Sequence, residues 1–213
     1  MDNFYKRVFP ITGWEKTDPR WDLLIHFCTR VREAGVSLVS HGDRARILER
    51  HLLPSLEALE FIPESGKLLD VGSGGGFPAI PIALAKPGLE VVMVESNSRK
   101  SAFLTRVSRE TSCASLTAGR AKGATKIVHA RVEDLCAEHN SAYNIITARA
   151  VVDIPLLIEW TRRFLAPSGR WILWKGQEWR KEVNLEQLKI HLLEERPLSD
   201  GGRLIVIEPI LKS

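Results

Sequence analysis

Cysteine is scarce in this chain of 213 residues: Cys28, Cys113 and Cys136 form no Cys-x-x-Cys pair and no even framework. That argues against a disulfide-stapled secreted domain and the common structural zinc motifs, so a reducing cytoplasm is the expected location and no metal site is expected. Long hydrophobic runs are missing too. No stretch approaches the roughly 18 uninterrupted apolar residues of a spanning helix, and the opening MDNFYKRVFPITGWEKTD lacks the apolar centre of an export signal. No membrane partner is expected. Internal repeats and low-complexity segments are absent, which removes solenoid and linker architectures. Glycine (15) and proline (11) stand at ordinary levels. With 26% charged and 44% hydrophobic residues, the chain reads as one well-buried globular domain plus a small extension.

Apolar residues recur at helical spacing between residues 18 and 60 (Trp21, Leu24, Ile25, Cys28, Val31, then Ile47, Leu48, Leu52, Leu56, Leu59), which predicts two or three helices. From Lys67 the pattern changes to short apolar runs between turns and helical stretches: KLLDV, EVVMV, KIVHA, YNIITA, RWILW and RLIVIE, with a seventh near Ile190 to Leu193. Strands alternating with helices imply an α/β fold with a mostly parallel sheet. Pro63 and Gly66 interrupt the pattern, so the expected boundary separates an N-terminal helical extension, residues 1–62, from an α/β domain, residues 63–213.

The most informative segment is Leu68-Leu69-Asp70-Val71-Gly72-Ser73-Gly74-Gly75-Gly76-Phe77-Pro78, a buried strand entering a glycine-dense turn and then a helix over Ala79–Ala85. Such a turn lets backbone approach a ligand and exposes helix N-terminal amides. The second strand ends in Glu95, 23 residues after Gly72, where a carboxylate can accept both hydroxyls of a ribose. Dinucleotides and S-adenosylmethionine both suit a loop and acid of this kind. The dinucleotide fingerprint wants its third glycine where Phe77 stands, and the Asp70 charge would repel a pyrophosphate. The sulfonium cofactor therefore fits better than NAD.

Asp-Val-Gly-Ser-Gly-Gly-Gly resembles the first motif of class I S-adenosylmethionine-dependent methyltransferases, and Phe164-Leu165-Ala166-Pro167-Ser168-Gly169-Arg170 looks like the turn before their fifth strand. Gly76-Phe77-Pro78, the run Glu95 to Leu104, Ala130-Arg131-Val132-Glu133, Ala148-Arg149-Ala150 and Lys175-Gly176 narrow the resemblance to the glucose-inhibited division protein B family, methyltransferases of guanine N7 in small-subunit (16S) ribosomal RNA. Val36 to Ser40 and Arg50 to Leu56 resemble that family's N-terminal signatures. Pro54, where the family usually has Asp, and Gly202, where an acid normally precedes Arg203, depart from its pattern, and the connection Thr111 to Lys126 is longer and more basic than expected.

The resemblance implies S-adenosyl-L-methionine bound by Asp70, Gly72, Ser73, Gly74, Gly76, Phe77, Glu95, Arg131, Val132, Glu133 and Arg149, with Arg149 and Lys175 orienting the substrate. Guanine N7 carries a lone pair and no proton, so methyl transfer to it is an in-line displacement governed by positioning and needing no general base. The sequence agrees: there is no Asn/Asp-Pro-Pro-Tyr/Phe after the fourth strand and no Pro-Cys nucleophile. An Arg149 guanidinium would bind a phosphate or donate to guanine O6. His51 lacks a metal-ligand partner at helical spacing and is expected to pack or hydrogen-bond against the α/β domain. Trp21, Trp171 and Trp174 are expected in the core, and Trp179 near the RNA side. A monomer is expected, acting on small-subunit ribosomal RNA or a ribosomal particle. A methyltransferase of a small molecule or protein, or a non-enzymatic nucleotide-binding module, are the alternatives.

The net charge of +4 conceals an asymmetry. Residues 96–131 carry eight basic side chains against one acid, Glu110, a local +7 that leaves −3 for the rest. Arg99, Lys100, Arg106 and Arg109 fall on one helical segment, followed by Lys122 and Lys126. With Arg203, these are the residues expected to contact an RNA backbone.

Overall fold

The structure is a computed structural model that describes residues 2–111 and 124–210. Helix α1 (Asp2–Thr12) begins the chain. It lies upstream of the helices the sequence pattern suggested, and packs Phe4, Tyr5, Val8 and Ile11 inward, with Val8 fully buried. Helix α2 (Arg20–Arg32) buries Trp21, Leu24, Phe27, Cys28 and Val31. A 3-10 turn (His41–Arg46), a wide π turn (Leu48–Leu52) and the short α3 (Leu53–Leu56) complete the extension. Pro54 sits in the first turn of α3, where its missing N–H is not needed.

The α/β part follows as β1 (Ser65–Val71), α4 (Ala79–Ala85), β2 (Gly88–Val94), α5 (Ser98–Glu110), β3 (Thr125–Val128), β4 (Tyr143–Arg149), α6 (Ile154–Thr161), β5 (Leu165–Lys175), β6 (Ile190–Pro197) and β7 (Arg203–Pro209). All seven expected strands are present. They form one sheet in the order β3-β2-β1-β4-β5-β7-β6, parallel except for β7, which runs antiparallel to both neighbours.

Alternation along the strands splits the core into two layers. Leu68, Met93, Ile145, Ile172 and Val206 face α4, α5 and the helical extension. Leu69, Val92, Ile146, Leu173 and Ile205 face α6. The extension is therefore continuous with one face of the sheet. The Trp174 indole seals that contact by donating to the Pro54 carbonyl at 2.8 Å. Trp21 and Trp171 are buried as expected. Trp179 is not near an RNA-facing surface: its 3-10 turn (Trp179–Glu182) folds the ring into the second core layer at 1% exposure, and its indole N–H donates to Glu195.

Because Arg203 pairs with Lys175 and Pro197 with Arg203, the β6–β7 turn returns to the rim where the parallel strands end. Glycine loop, β4 exit and β6–β7 turn thus share one edge of the molecule.

Candidate functional site

The glycine loop is suspended from two strands. The Ser73 amide donates to the Val94 carbonyl at 3.1 Å, and the Gly76 amide closes the turn onto Ser73 at 2.7 Å. Gly72 and Gly74 have φ of 64° and 52°, a region that disfavours side chains. A Cβ on Gly72 would strike Val151 at 2.8 Å, whereas one on Gly74 would meet nothing nearer than the Gly72 carbonyl at 3.7 Å. Gly74 therefore has open space over it.

Two carboxylates flank that space. Glu95, buried just beyond β2, accepts the Gly74 amide on Oε2 and the Asn97 amide on Oε1, each at 2.8 Å. Each oxygen keeps a free lone pair for a further donor. Asp70, at 1% exposure, accepts the Thr147 hydroxyl on Oδ1 at 2.6 Å, and its Oδ2 is buried with no partner among the described residues. Burial pushes the Asp70 pKa up to about 6 against the Ser73 and Thr147 hydroxyls, and the Glu95 charge pushes the same way. An unmatched buried carboxylate beside an acid with spare acceptor capacity is chemistry for a cationic, hydroxyl-bearing ligand.

Beside them a cleft of about 160 Å³ is lined by Val71, Gly72, Val94, Arg131, Val132 and Val152, among others. Its apolar walls suit an aromatic ring. Val132 is buried, Glu133 borders the cleft half-buried, and the exposed Arg131 side chain pairs with Glu133 at 3.7 Å. Asp70, Gly72, Ser73, Gly74, Glu95, Arg131, Val132 and Glu133 are thus gathered at one rim. Phe77 is directed elsewhere: its buried ring packs on Phe27 at 4.8 Å and His51 at 5.3 Å, clamping the loop to the extension. The Gly76 position likewise abuts Ile80 and Phe27.

The β4 exit is a half-buried ionic junction. Arg149 Nη1 donates to the His51 carbonyl at 3.3 Å, and Nη2 donates to the Arg50 carbonyl and to Asp200 Oδ2 at 3.2 Å. Arg50 in turn donates to the Asp200 carbonyl at 2.8 Å and to Asp43 at 3.3 Å. Burial, then the Arg149 charge, pushes the His51 pKa down to about 4, although Asp43 stands 3.5 Å away. His51 thus packs and bonds across to the α/β part, as its signature suggested. Lys175 donates to the Val152 carbonyl at 3.1 Å and pairs with Glu182 at 2.7 Å. Both rim cations are held by internal partners. Asp43 and Asp200 escaped the sequence reading, since each lies in a short polar turn whose partner is distant in the chain.

Helix α5 buries Phe103, Leu104 and Val107, and its start is capped by Asn97, whose Oδ1 accepts the Arg99 and Lys100 amides. Arg99, Arg106 and Arg109 are exposed, Lys100 partly so, and none of the four forms an ion pair with the described residues. Lys126 is exposed on neighbouring β3, and Lys122 lies outside the described residues. Arg203 is not part of this surface. It starts β7, separated from β3 by four strands of the sheet, with Glu195 at 3.9 Å.

Residues 22–200 match the family described as rRNA small subunit methyltransferase G. The ribosomal RNA small subunit methyltransferase G of Chloroflexus aggregans is 34% identical over 178 residues, spanning 82% of this chain and 68% of that protein. The protein of the same name in Leptothrix cholodnii is 32% identical over 81% of this chain and 78% of its own, and that of Stutzerimonas stutzeri is 36% identical over 66% and 60%. Among solved structures, a methyltransferase from Geobacter sulfurreducens superposes with a TM-score of 0.57 at 15% identity, covering 92% of this chain and 91% of that one. A ribosomal protein L11 methylase from Lactobacillus delbrueckii gives 0.56 at 15% identity over 73% and 76%. These likenesses give the fold as that of class I methyltransferases.

Proposed function

The chain belongs to the rRNA small subunit methyltransferase G family, and from that premise we propose that it methylates a guanine N7 of small-subunit ribosomal RNA with S-adenosylmethionine as donor. The observation that carries the reading is the buried Asp70 carboxylate with an unpartnered Oδ2, set beside a Glu95 already bonded to the glycine loop. S-adenosylmethionine is cationic and carries a ribose diol and an adenine, so the residues fit it. A dinucleotide would bring its pyrophosphate against two acids.

Asp70 holds the positively charged end, directly or through water, and Glu95 takes the ribose hydroxyls. Val71, Val132 and Val152 flank the adenine. When bound, the sulfonium supplies the methyl group. The protein's own task is to exclude water and fix the approach, because guanine N7 presents a free lone pair and needs no proton removed. Arg149 and Lys175 shape the substrate side of the rim. Arg149 does so by holding Arg50, His51 and Asp200 in place, and Lys175 by fixing the Val152 wall. The exposed cations of α5, with Lys126, bind the RNA backbone. No helix of the described residues is long and apolar enough to cross a membrane, and a monomer acting in the cytoplasm fits this reading.

Incubating the protein with methyl-labelled S-adenosylmethionine and unmethylated small-subunit RNA or particles tests it. Label is expected at one guanine N7, recognised by chain cleavage after reduction and aniline treatment. Label at another atom, or transfer only to small molecules or protein, would overturn the assignment.

A further inference from the structure

Cys136, Glu138 and His139 lie on one tight turn between β3 and β4, and their ligand atoms (Sγ, a carboxylate oxygen and an imidazole nitrogen) all fall within 4.8 Å of one another. We propose that this turn is a zinc-binding site outside the catalytic rim.

The imidazole is held in one orientation by its neighbours. His139 is 7% exposed, its ring lies parallel to Tyr143 with centroids 5.9 Å apart, and Phe164 meets it edge-on at 6.5 Å. The Tyr143 hydroxyl bonds Nδ1. Of the two tautomers this contact admits, the one with Nδ1–H donating to Tyr143 Oη leaves the Nε2 lone pair free, which is how outer partners orient a metal-bound histidine. That Nε2 lies 3.6 Å from Glu138 Oε1. Ligands on a tetrahedral zinc are about 3.3–3.8 Å apart, given Zn–N near 2.0 Å and Zn–S near 2.3 Å. Cys136 is exposed, so its thiol is free to turn about χ1 toward the other two ligands. The backbone is fixed, since the His139 amide donates to the Cys136 carbonyl at 3.1 Å and the Asn140 amide to Ala137 at 3.0 Å.

Charge points the same way. Glu138 makes no ion pair with a lysine or arginine among the described residues. A thiolate, an imidazole and one carboxylate form a borderline-soft set that selects zinc over magnesium or calcium and leaves a fourth position for water. The sequence reading missed the group because it sought Cys-x-x-Cys, whereas the ligands here run Cys-x-Glu-His. A bound ion would lock the turn that leads into β4.

Titrating the metal-free full chain with zinc against a chelating dye, and with cobalt by absorption, tests the site. One equivalent is expected to bind, with a thiolate-to-cobalt band, tetrahedral d–d absorption and a raised melting temperature. Cys136→Ser should abolish the thiolate band, and Cys136→Ser and Glu138→Gln, both at exposed positions, should each weaken zinc binding by more than tenfold. Tyr143→Phe should keep the band and lose roughly 10- to 100-fold in affinity, and Cys113→Ser should change nothing. Failure to bind an equivalent at micromolar protein, or binding unchanged in the Cys136→Ser/Glu138→Gln double variant, would overturn the proposal.

Discussion

Glu95 Oε2 accepts the Gly74 amide at 2.8 Å, so the acid after β2 and the turn after β1 are bonded to each other before any ligand arrives. The second carboxylate oxygen is bonded to Asn97, the cap of α5, so one side chain registers loop, strand and helix.

Glu95→Gln keeps the shape but loses the charge and one acceptor. S-adenosylmethionine affinity should fall by about 10- to 100-fold, corresponding to ~1.4–2.8 kcal/mol. Calorimetric titration beside a denaturation curve separates this from a folding defect, since stability should drop by only about 1 kcal/mol. Unchanged affinity would remove Glu95 from the cofactor site.

Gly74→Val places a branched side chain where φ is 52° and no protein atom lies closer than 3.7 Å to the new Cβ. The backbone strain is about 1–2 kcal/mol, and the side chain projects into the space left open above the loop. Cofactor binding should be lost in calorimetry while the protein remains folded by circular dichroism. Retained affinity would mean that the ligand does not cross the loop at Gly74.

Asp70 imposes a pH dependence whose sign follows from its burial. The folded pKa, about 6, lies above the ordinary 3.8, so the fold favours the neutral acid. The resulting stabilisation is fully present below pH 3.8 and is lost as pH rises through about 6, a difference of roughly 3 kcal/mol. Urea unfolding from pH 4 to 8 should show Asp70→Asn gaining stability relative to the parent chain across this window, with no further divergence above it. A cation that pairs with ionised Asp70 should bind more tightly as pH rises through the same interval, and this rise should vanish in Asp70→Asn.

Removing the guanidinium in Arg149→Ala strips the donor from two half-buried carbonyls and leaves Asp200 without its closest cation. Stability should fall by about 1–3 kcal/mol, and turnover on RNA should drop while affinity for S-adenosylmethionine changes little. Arg149→Lys should not restore turnover, because one ammonium cannot reach three acceptors in this fan. Full activity with intact stability would show that the junction is dispensable.

Features carried by local spacing were legible in the sequence. The strand before Asp70, the loop to Gly76, the helix over Ala79–Ala85 and Glu95 are contiguous or one βαβ unit apart, and the structure assembles them as expected. What escaped was set by contacts between distant segments. Trp179 resembles an exposed aromatic in a polar stretch until Glu195, on another strand, accepts its N–H. Phe77 looks like part of the loop, yet Phe27 and His51 claim its ring. The expectation that Arg149 would orient substrate did not include the extension and β6–β7 turn that occupy its donors.

The hydrogen bond from Arg50 to the Asp200 carbonyl spans 150 residues of chain. Closing a loop of that length costs entropy that no local contact offsets, so the bond forms only after the intervening sheet has drawn its ends together. On that ground β1 to β5 and the glycine loop are expected to assemble first, and the β6–β7 hairpin to bring Asp200 to Arg50 and Arg149 last. A chain caught between those stages would have a formed glycine loop and an unfinished β4 exit, able to take up its small ligand but unable to present it to a large one.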